Sequence, residues 1–356
     1  MKSLFYFIPL LLVFAACQQK KARPEKQKDV LMEVASSDKQ WTGIAISEDA
    51  RIFVNFPRWS SEHHLSVAEI ANDSTLVAFP DKEWNTWDPS QKDPENHFVC
   101  VQSVVMDDEN HLWVLDAGNP RFQGIVPYGP KLIRFDIQSG KILNRVIFGT
   151  DVLYQTSYLN DVRIDTDSKF AYITDSNNGA ILVYNYDNGN VTRVLDQHFS
   201  TKPELPLVIN GKPWLNGEGN INFVASDGIA LDRQKQYLYY HSLTGLTLYR
   251  IDTRHLQETK HSTDTVANHV EFVARTGASD GMITGPDNAI YHSNVEKNAI
   301  IRYHPDGTLE TVVNDERIKW PDSFAVGPEG YLYFTTSQIH IPNPQQPYKI
   351  YRIKIE

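Results

Sequence analysis

The sequence predicts an all-β fold, a six-bladed β-propeller, on three observations. The stretches "SDGIALDRQKQYLYYHS" (Ser226–Ser242) and "SDGMITGPDNAIYHSN" (Ser279–Asn294) are near copies of one another. Four further stretches share their form: Thr42–Trp59, Val101–Gly118, Asn160–Ser176 and Pro321–Ser337. Each is a short apolar run, a turn rich in Asp, Gly, Pro or Asn, and a β-branched or aromatic run, the signature of a β-hairpin. Second, most copies are followed by two more strand-like runs, as in "GAILVYNYDNGNVTRVL" (Gly179–Leu195) and "NAIIRYHPDGTLETVV" (Asn298–Val313). Four antiparallel strands recurring six times make a propeller. Third, helical periodicity is nearly absent, and Arg254–Ala267 is the one place for a short helix or irregular excursion.

The last repeat runs short. After "YLYFTTS" only "YKIYRIKIE" (Tyr348–Glu356) remains, three strands in all. The apolar "VLMEVA" (Val30–Ala35) is expected to supply the missing outer strand, so that an N-terminal strand joins the last blade, closes the ring and covers its exposed edge.

The first residues stand apart from the repeats. "MKSLFYFIPLLLVFAAC" has a basic start, an apolar run too short to span a bilayer, and two small residues before Cys17. It reads as a signal peptide over 1–17, and the small pair before Cys17 resembles a bacterial lipobox. Lipidation of Cys17 is then expected, with 18–29 a polar tether and 30–356 the propeller domain. A plain secretion signal is the alternative. The expected location is therefore export, either as a membrane-anchored lipoprotein (periplasmic, outer-membrane or cell-surface) or as a secreted protein. Contact with a membrane would be through the lipid alone. Cys100 would remain the only cysteine, which excludes an internal disulfide and a Cys-x-x-Cys metal site. The chain's 356 residues carry a net charge of −10, which argues against nucleic acid as a partner. A small-molecule ligand and a monomer are expected.

Strands A to D run outward from the channel in each blade. The A–B and most C–D turns are short ("DDEN", "GPDN", "PDG"), whereas the long segments, such as 80–98 and 196–220, fall on the opposite face. Long loops on a rigid scaffold concentrate binding residues, so this face is predicted to carry the function. There the repeat places Asp161, Asp227, Asp280 and Asp322 around one channel mouth, with Gln102 in the second blade and Asn160 beside Asp161. The B-strand ends add Asp116, Asp175, His241, Ser242, His292, Asn294 and Thr336. Crowded carboxylates need a cation, hydrogen-bond donors or raised pKa values. Oxygen ligands suit Ca²⁺ or another divalent cation, with Asp161, Asp227 and Asp280 the candidate set. The competing reading gives each Asp a turn-fixing role through backbone amides. Asp227, Asp280, His241 and His292 are candidate acid–base residues, though packed structural imidazoles would look the same in sequence. Trp84 and Trp87, with Trp59, Tyr128 and Trp214, are candidates for a lid that stacks on a flat ligand. No phosphate-cradling loop, nucleophile elbow or cofactor fingerprint is present.

At "WTGIAISEDARIFVNFPRW", "YLNDVRIDTDSKFAYITDS" and "WPDSFAVGPEGYLYFTTSQIH", and at the two opening stretches, the chain resembles the yellow / major royal jelly protein family, in its bacterial dopachrome-tautomerase-related branch. The resemblance covers roughly residues 30 to 356. It implies a secreted six-bladed propeller that binds a small, aromatic or catechol-like molecule in its channel, with isomerase activity as the enzymatic expectation. A more distant likeness to gluconolactonase propellers implies the alternative of a cation-dependent lactonase, although the glutamate of that pattern has no counterpart in the first blade. A non-catalytic surface binding lipoprotein is the third reading.

Overall fold

The structure, a computed structural model, describes residues 30–63, 65–71, 75–90, 92–258, 263–344 and 347–355. Cys17 and the 18–29 tether lie outside the described residues. Six four-stranded antiparallel sheets form the blades. Blade 1 holds β2 (Ile44–Ile46), β3 (Ile52–Asn55), β4 (Val67–Ile70) and β5 (Leu76–Ala78). Blade 2 holds β6 (Val101–Met106), β7 (His111–Asp116), β8 (Lys131–Asp136) and β9 (Ile142–Ile147). Blade 3 holds β10 (Leu159–Asp165), β11 (Phe170–Asp175), β12 (Ala180–Asn185) and β13 (Val191–Val194). A two-stranded excursion, β14 (Val208–Ile209) and β15 (Lys212–Pro213), precedes blade 4. Blade 4 holds β16 (Ser226–Leu231), β17 (Tyr237–Ser242), β18 (Thr247–Asp252) and β19 (Glu271–Arg275). Between its last two strands lie α1 (Thr253–Gln257) and α2 (Thr263–Ala267), where the sequence allowed an excursion. Blade 5 holds β20 (Met282–Thr284), β21 (Ile290–Asn294), β22 (Ala299–Tyr303) and β23 (Leu309–Asn314). In blade 6, β24 (Pro321–Gly327), β25 (Tyr331–Thr336) and β26 (Tyr348–Lys354) are joined at the outer edge by β1 (Met32–Ser37), which pairs antiparallel with β26.

The inner strands bury both faces because each blade packs between two others. Trp113, Leu115, Val162 and Ile173 share one cluster between blades 2 and 3, and Tyr172, Ile181, Ile229 and Tyr240 another between blades 3 and 4. Hence β7, β11, β17, β21 and β25 read as nearly continuous buried runs rather than as in/out alternation.

Register explains the repeated doublet. In blades 2, 3, 4 and 6 the first residue of the inner strand pairs with the end of the second strand: Val101 with Asp116, Leu159 with Asp175, Ser226 with Ser242, Pro321 with Thr336. Pairing then breaks and resumes at Ser103, Val162, Ile229 and Phe324, so each inner strand bulges at the channel mouth. Bulges re-aim side chains, and the residues turned inward at the first bulge position are Gln102, Asn160, Asp227 and Asp322. The pairs Met282–His292 and Ile44–Val54 put Asp280 and Thr42 at the equivalent places in blades 5 and 1. Six A strands thus bring one polar side chain each to a common level.

The Gly of each Asp-Gly doublet answers a steric demand. A Cβ on Gly228 would sit 2.1 Å from the carbonyl oxygen of Asp280, and one on Gly281 1.9 Å from that of Asp322. Neighbouring A strands approach too closely for any other residue. Hydroxyl and amide side chains on the second strands knit the same junctions. Thr174 Oγ1 accepts from Asp161 N (3.1 Å) and donates to Asp227 O (2.8 Å). Thr335 Oγ1 accepts from Ser323 N (3.1 Å) and donates to Thr42 O (2.5 Å). Asn55 does the same between Gly43 N and Val101 O, both at 3.0 Å.

Gly228→Ala is therefore expected to lower the unfolding free energy by about 2–3 kcal/mol, as overpacking against fixed backbone does. Gly217→Ala, with nothing within 4 Å of the added carbon, is expected to stay within about 0.5 kcal/mol of the parent. Denaturant unfolding of both variants checks the contrast.

Candidate functional site at the channel mouth

Thr42, Gln102, Asn160, Asp227, Asp280 and Asp322 form a ring, and side-chain hydrogen bonds run in one direction from Gln102 through Asn160 to Asp227. Trp59 Nε1 donates to Tyr158 Oη (2.6 Å), and Tyr158 Oη donates to Gln102 Oε1 (2.9 Å). Gln102 Nε2 donates to Asn160 Oδ1 (2.9 Å), and Asn160 Nδ2 to Asp227 Oδ2 (2.6 Å). Asp227 in turn lies beside Asp280, whose Oδ2 accepts from Trp320 Nε1. Aligned donors in a buried chain polarise one another. The ring divides into a neutral arc over blades 1 to 3 and an acidic arc over blades 4 to 6.

All six ring residues are buried. Burial raises the Asp227 carboxyl well above the ordinary range, reinforced by the charges of Asp280, Asp161 and Asp322. Burial likewise raises Asp322, with the Asp280 charge beside it. Asp280 is pushed up to about 7, again chiefly by burial, against the opposing bond from Trp320. Asp227 Oδ1 is buried with no donor facing it, and the crowded acids Asp227, Asp280 and Asp322 titrate together rather than one by one.

Two aromatic groups flank the ring on the long-loop face. Phe122 stacks on Tyr158 (centroids 4.6 Å apart) and on Trp59 (5.9 Å) beside the neutral arc. Trp320 packs against Trp214 (4.8 Å) and stacks on His340 (5.6 Å) beside the acidic arc.

The remaining candidates have other places. Asp161 lies one residue past the ring, at the second bulge position. Burial raises its pKa, while Arg163 opposes that rise. The copies at 226 and 279 are out of step at their far ends: His241 aligns with Thr174, Ser293 and Thr335, but His292 aligns with Tyr240. This half-step puts the two imidazoles on opposite sheet faces, in the cleft between blades 4 and 5, where each is buried. Their Nδ1 atoms donate to the carbonyls of Ser242 (2.6 Å) and Ser293 (2.9 Å). Burial lowers both pKa values, that of His292 to about 4, and His241 adds to the shift at His292. Both imidazoles are neutral at pH 7 and make no hydrogen bond to the ring acids, so the expected Asp–His quartet is not one constellation.

Asp116 accepts from the amides of Val99, Cys100 and Gly118 and from Lys131 Nζ (2.8 Å), a buried ion pair. Asp175 accepts from Ser157 Oγ, Tyr158 N and Arg193 Nη1. Both clamp the incoming connection onto the second strand, the turn-fixing role that competed with ligand binding. Thr336 Oγ1 donates to Lys349 O and belongs to the β25–β26 pairing. Asn294 is buried beside Gly277, whose added Cβ would lie 2.4 Å from Asn294 Nδ2. Trp84 packs on Phe98 and Phe135 in the core of blades 1 and 2, and Trp87 lies under Arg58, so neither forms part of the mouth.

Asp161, Asp227 and Asp280 do not fit a divalent cation as they stand. Among the described residues no group of three or more His, Cys, Asp or Glu side chains is placed to hold a metal ion. Ca²⁺ wants six to eight oxygens, and these three carboxyls are not gathered into such a set. Thr42, Tyr158 and Trp320 are site members that the repeat alone missed. Aligning the copies on their second-strand ends, rather than on Asp-Gly, would have found Thr42. Nothing in one sequence marks Trp320 as the donor to Asp280.

Residues 99–351 match the sequence profile described as Major royal jelly protein. The chain belongs to the major royal jelly protein family. Among curated relatives, Major royal jelly protein 5 of Apis mellifera is 25% identical over 248 residues, covering 65% of this chain and 37% of that protein. A yellow-related salivary protein of Lutzomyia longipalpis is 24% identical over 193 residues, 48% of this chain and 46% of that one. The chain thus spans about half or less of these relatives' length. Among solved structures, a luciferin-regenerating enzyme superposes with a TM-score of 0.57 at 10% identity, covering 91% of this chain and 95% of that one. A gluconolactonase from Xanthomonas campestris gives 0.55 at 11% identity, with 91% and 89% covered. At these identities the likeness shows the fold: this royal-jelly-family chain shares the propeller architecture of several enzymes.

The acid pair sets a pH dependence for stability in this family member. A carboxyl whose folded pKa is raised stabilises fully below its unfolded value, here 3.8, and that stabilisation is lost as pH rises through the folded value, about 7 for Asp280. The unfolding free energy is expected to fall by at least about 1 kcal/mol between pH 5 and pH 8. Asp227→Asn, whose amide would donate to Asp280 without a titrating proton, should flatten that slope in thermal melts.

Proposed function

We propose that the protein is an exported propeller that binds a small, flat, polar molecule at the ring and moves a proton on it, an isomerisation or tautomerisation. The observation that carries this reading is the buried Asp227–Asp280 pair at the channel mouth: burial raises both acids, Asp280 to about 7, and a carboxyl with a pKa near working pH suits a general acid–base. Gln102, Asn160 and Thr42 supply the neutral donors and acceptors that would orient the molecule. Rings beside both arcs, Phe122 and Tyr158 on one side and Trp320 on the other, support an aromatic or catechol-like body. The family's salivary and royal-jelly members support a secreted ligand binder; export with a lipid on Cys17 belongs to the same proposal. Cys17→Ser should then move the protein from the membrane fraction to the soluble fraction.

A thermal-shift screen of catechols and aromatic amines, followed by solvent-deuterium incorporation into any binder, tests the reading. Asp227→Asn is expected to cut proton transfer by about 10²–10⁴-fold while changing affinity less than about tenfold. A binder whose affinity and exchange ignore both Asp227→Asn and Gln102→Ala would sink it. The lactonase alternative is separated by dialysis against EDTA, which is expected to leave the melting temperature and the exchange rate unchanged.

A further inference from the structure

The channel opens at its other end, among the short turns, into a funnel of about 730 Å³. Its walls mix apolar and polar surface: Ile44, Val105, Ile164, Ile283 and Phe324 line the inner strands together with Arg163 and Thr284. The rim is charged but largely neutralised within itself. Lys235 Nζ bonds Asp108 (2.8 Å) and Asp167 (3.1 Å), and Asp232 accepts from the amides of Gln236 and Tyr237. Asp107 accepts from the amides of Glu109 and His111 and from Trp113 Nε1.

Arg163 is the unbalanced group of the walls; at the rim the exposed Arg233 also forms no ion pair among the described residues. Its Nη1 donates to Val162 O (2.7 Å) and its Nη2 reaches across the channel to Met282 O. Both acceptors are neutral carbonyls, and the Nε–H is buried without a partner. Arg163 forms no ion pair among the described residues. The acid whose field reaches it, Asp161, is itself pushed toward the neutral form by burial. A guanidinium remains charged in any protein and has five donors, of which two are used here. Arg163 is half-buried, with its Nε–H fully buried and unpartnered, and an anion that reaches a cation withdrawn from water in this way is favoured.

We propose that the short-turn funnel is a second binding site, for a small monocarboxylate whose head bonds Arg163 and whose apolar body lies on the funnel walls. Glu48, Asp108 and Asp167 at the rim disfavour multiply charged anions. The site is on the face opposite the ring and stands independently of the acid–base reading.

The test is calorimetric titration of the protein with 4-phenylbutyrate, matched against the neutral 4-phenylbutyramide. Saturable binding of the carboxylate, with the amide at least tenfold weaker, is expected. Arg163→Gln should weaken the carboxylate at least tenfold. Ile283→Glu, which keeps Arg163 but charges the wall, should do the same. Equal binding of acid and amide overturns the proposal, as does the absence of saturable carboxylate binding into the millimolar range. Binding that survives both funnel variants but is lost in Asp227→Asn would place the carboxylate at the ring and overturn it equally. Should Arg163→Gln fail to fold, the acid–amide comparison and Ile283→Glu still decide.

Discussion

Six strand backbones converging on one axis set the terms for this protein. At the mouth of the channel neighbouring inner strands come so near that Gly228 and Gly281 have no room for a side chain beyond hydrogen. The inner strands of blades 2, 3, 4 and 6 meet this crowding by bulging, and the bulge turns a polar side chain toward the axis. The inter-blade bonds through Asn55, Thr174 and Thr335 hold the same junctions. The geometry that closes the ring and the geometry that builds the site are one geometry.

Placing three ring acids and Asp161 in that crowded, water-poor space has an electrostatic consequence. Ionised, they would repel one another with little screening. The structure relieves this with neutral donors, Asn160 on Asp227 and Trp320 on Asp280, rather than with ion pairs, and the crowding raises the pKa values of the acids. The two buried ion pairs near this face, Lys131–Asp116 and Arg193–Asp175, sit further out at the strand ends and hold loops. Charge is neutralised where the scaffold needs rigidity and left to titrate where chemistry is possible.

The propeller was legible because its cause is local: apolar runs and Asp/Gly turns repeat wherever a hairpin is needed. The acidic arc was legible for the same reason, since Asp227, Asp280 and Asp322 recur with the blade. The assignment of Asp161 to that ring slipped by one because the bulge makes two consecutive residues compete for one inward position, and sequence alone favours the acidic one. His241 and His292 look equivalent in the text of the chain, but they differ by a half-step in register, which reverses the sheet face they occupy. Trp320 and Tyr158 reach the ring from connecting segments, and such long-range contacts leave no periodic trace. The expectation that function belongs to the long-loop face fits the ring. The funnel at the other end arises from how the inner strands splay, which no turn length reports.

The pairing of β1 with β26 in blade 6 joins residues near 32–37 to residues near 348–354. This makes time a part of the fold. Five blades are assembled from contiguous sequence and can form in succession as the chain emerges, but the sixth needs both ends of the domain at once. Closure therefore waits for the end of synthesis or translocation, and contacts of such long sequence separation form slowly. Until then β26 presents an unpaired edge. The shared last sheet thus acts as a clock: the channel is finished only when both ends of the domain are present to meet.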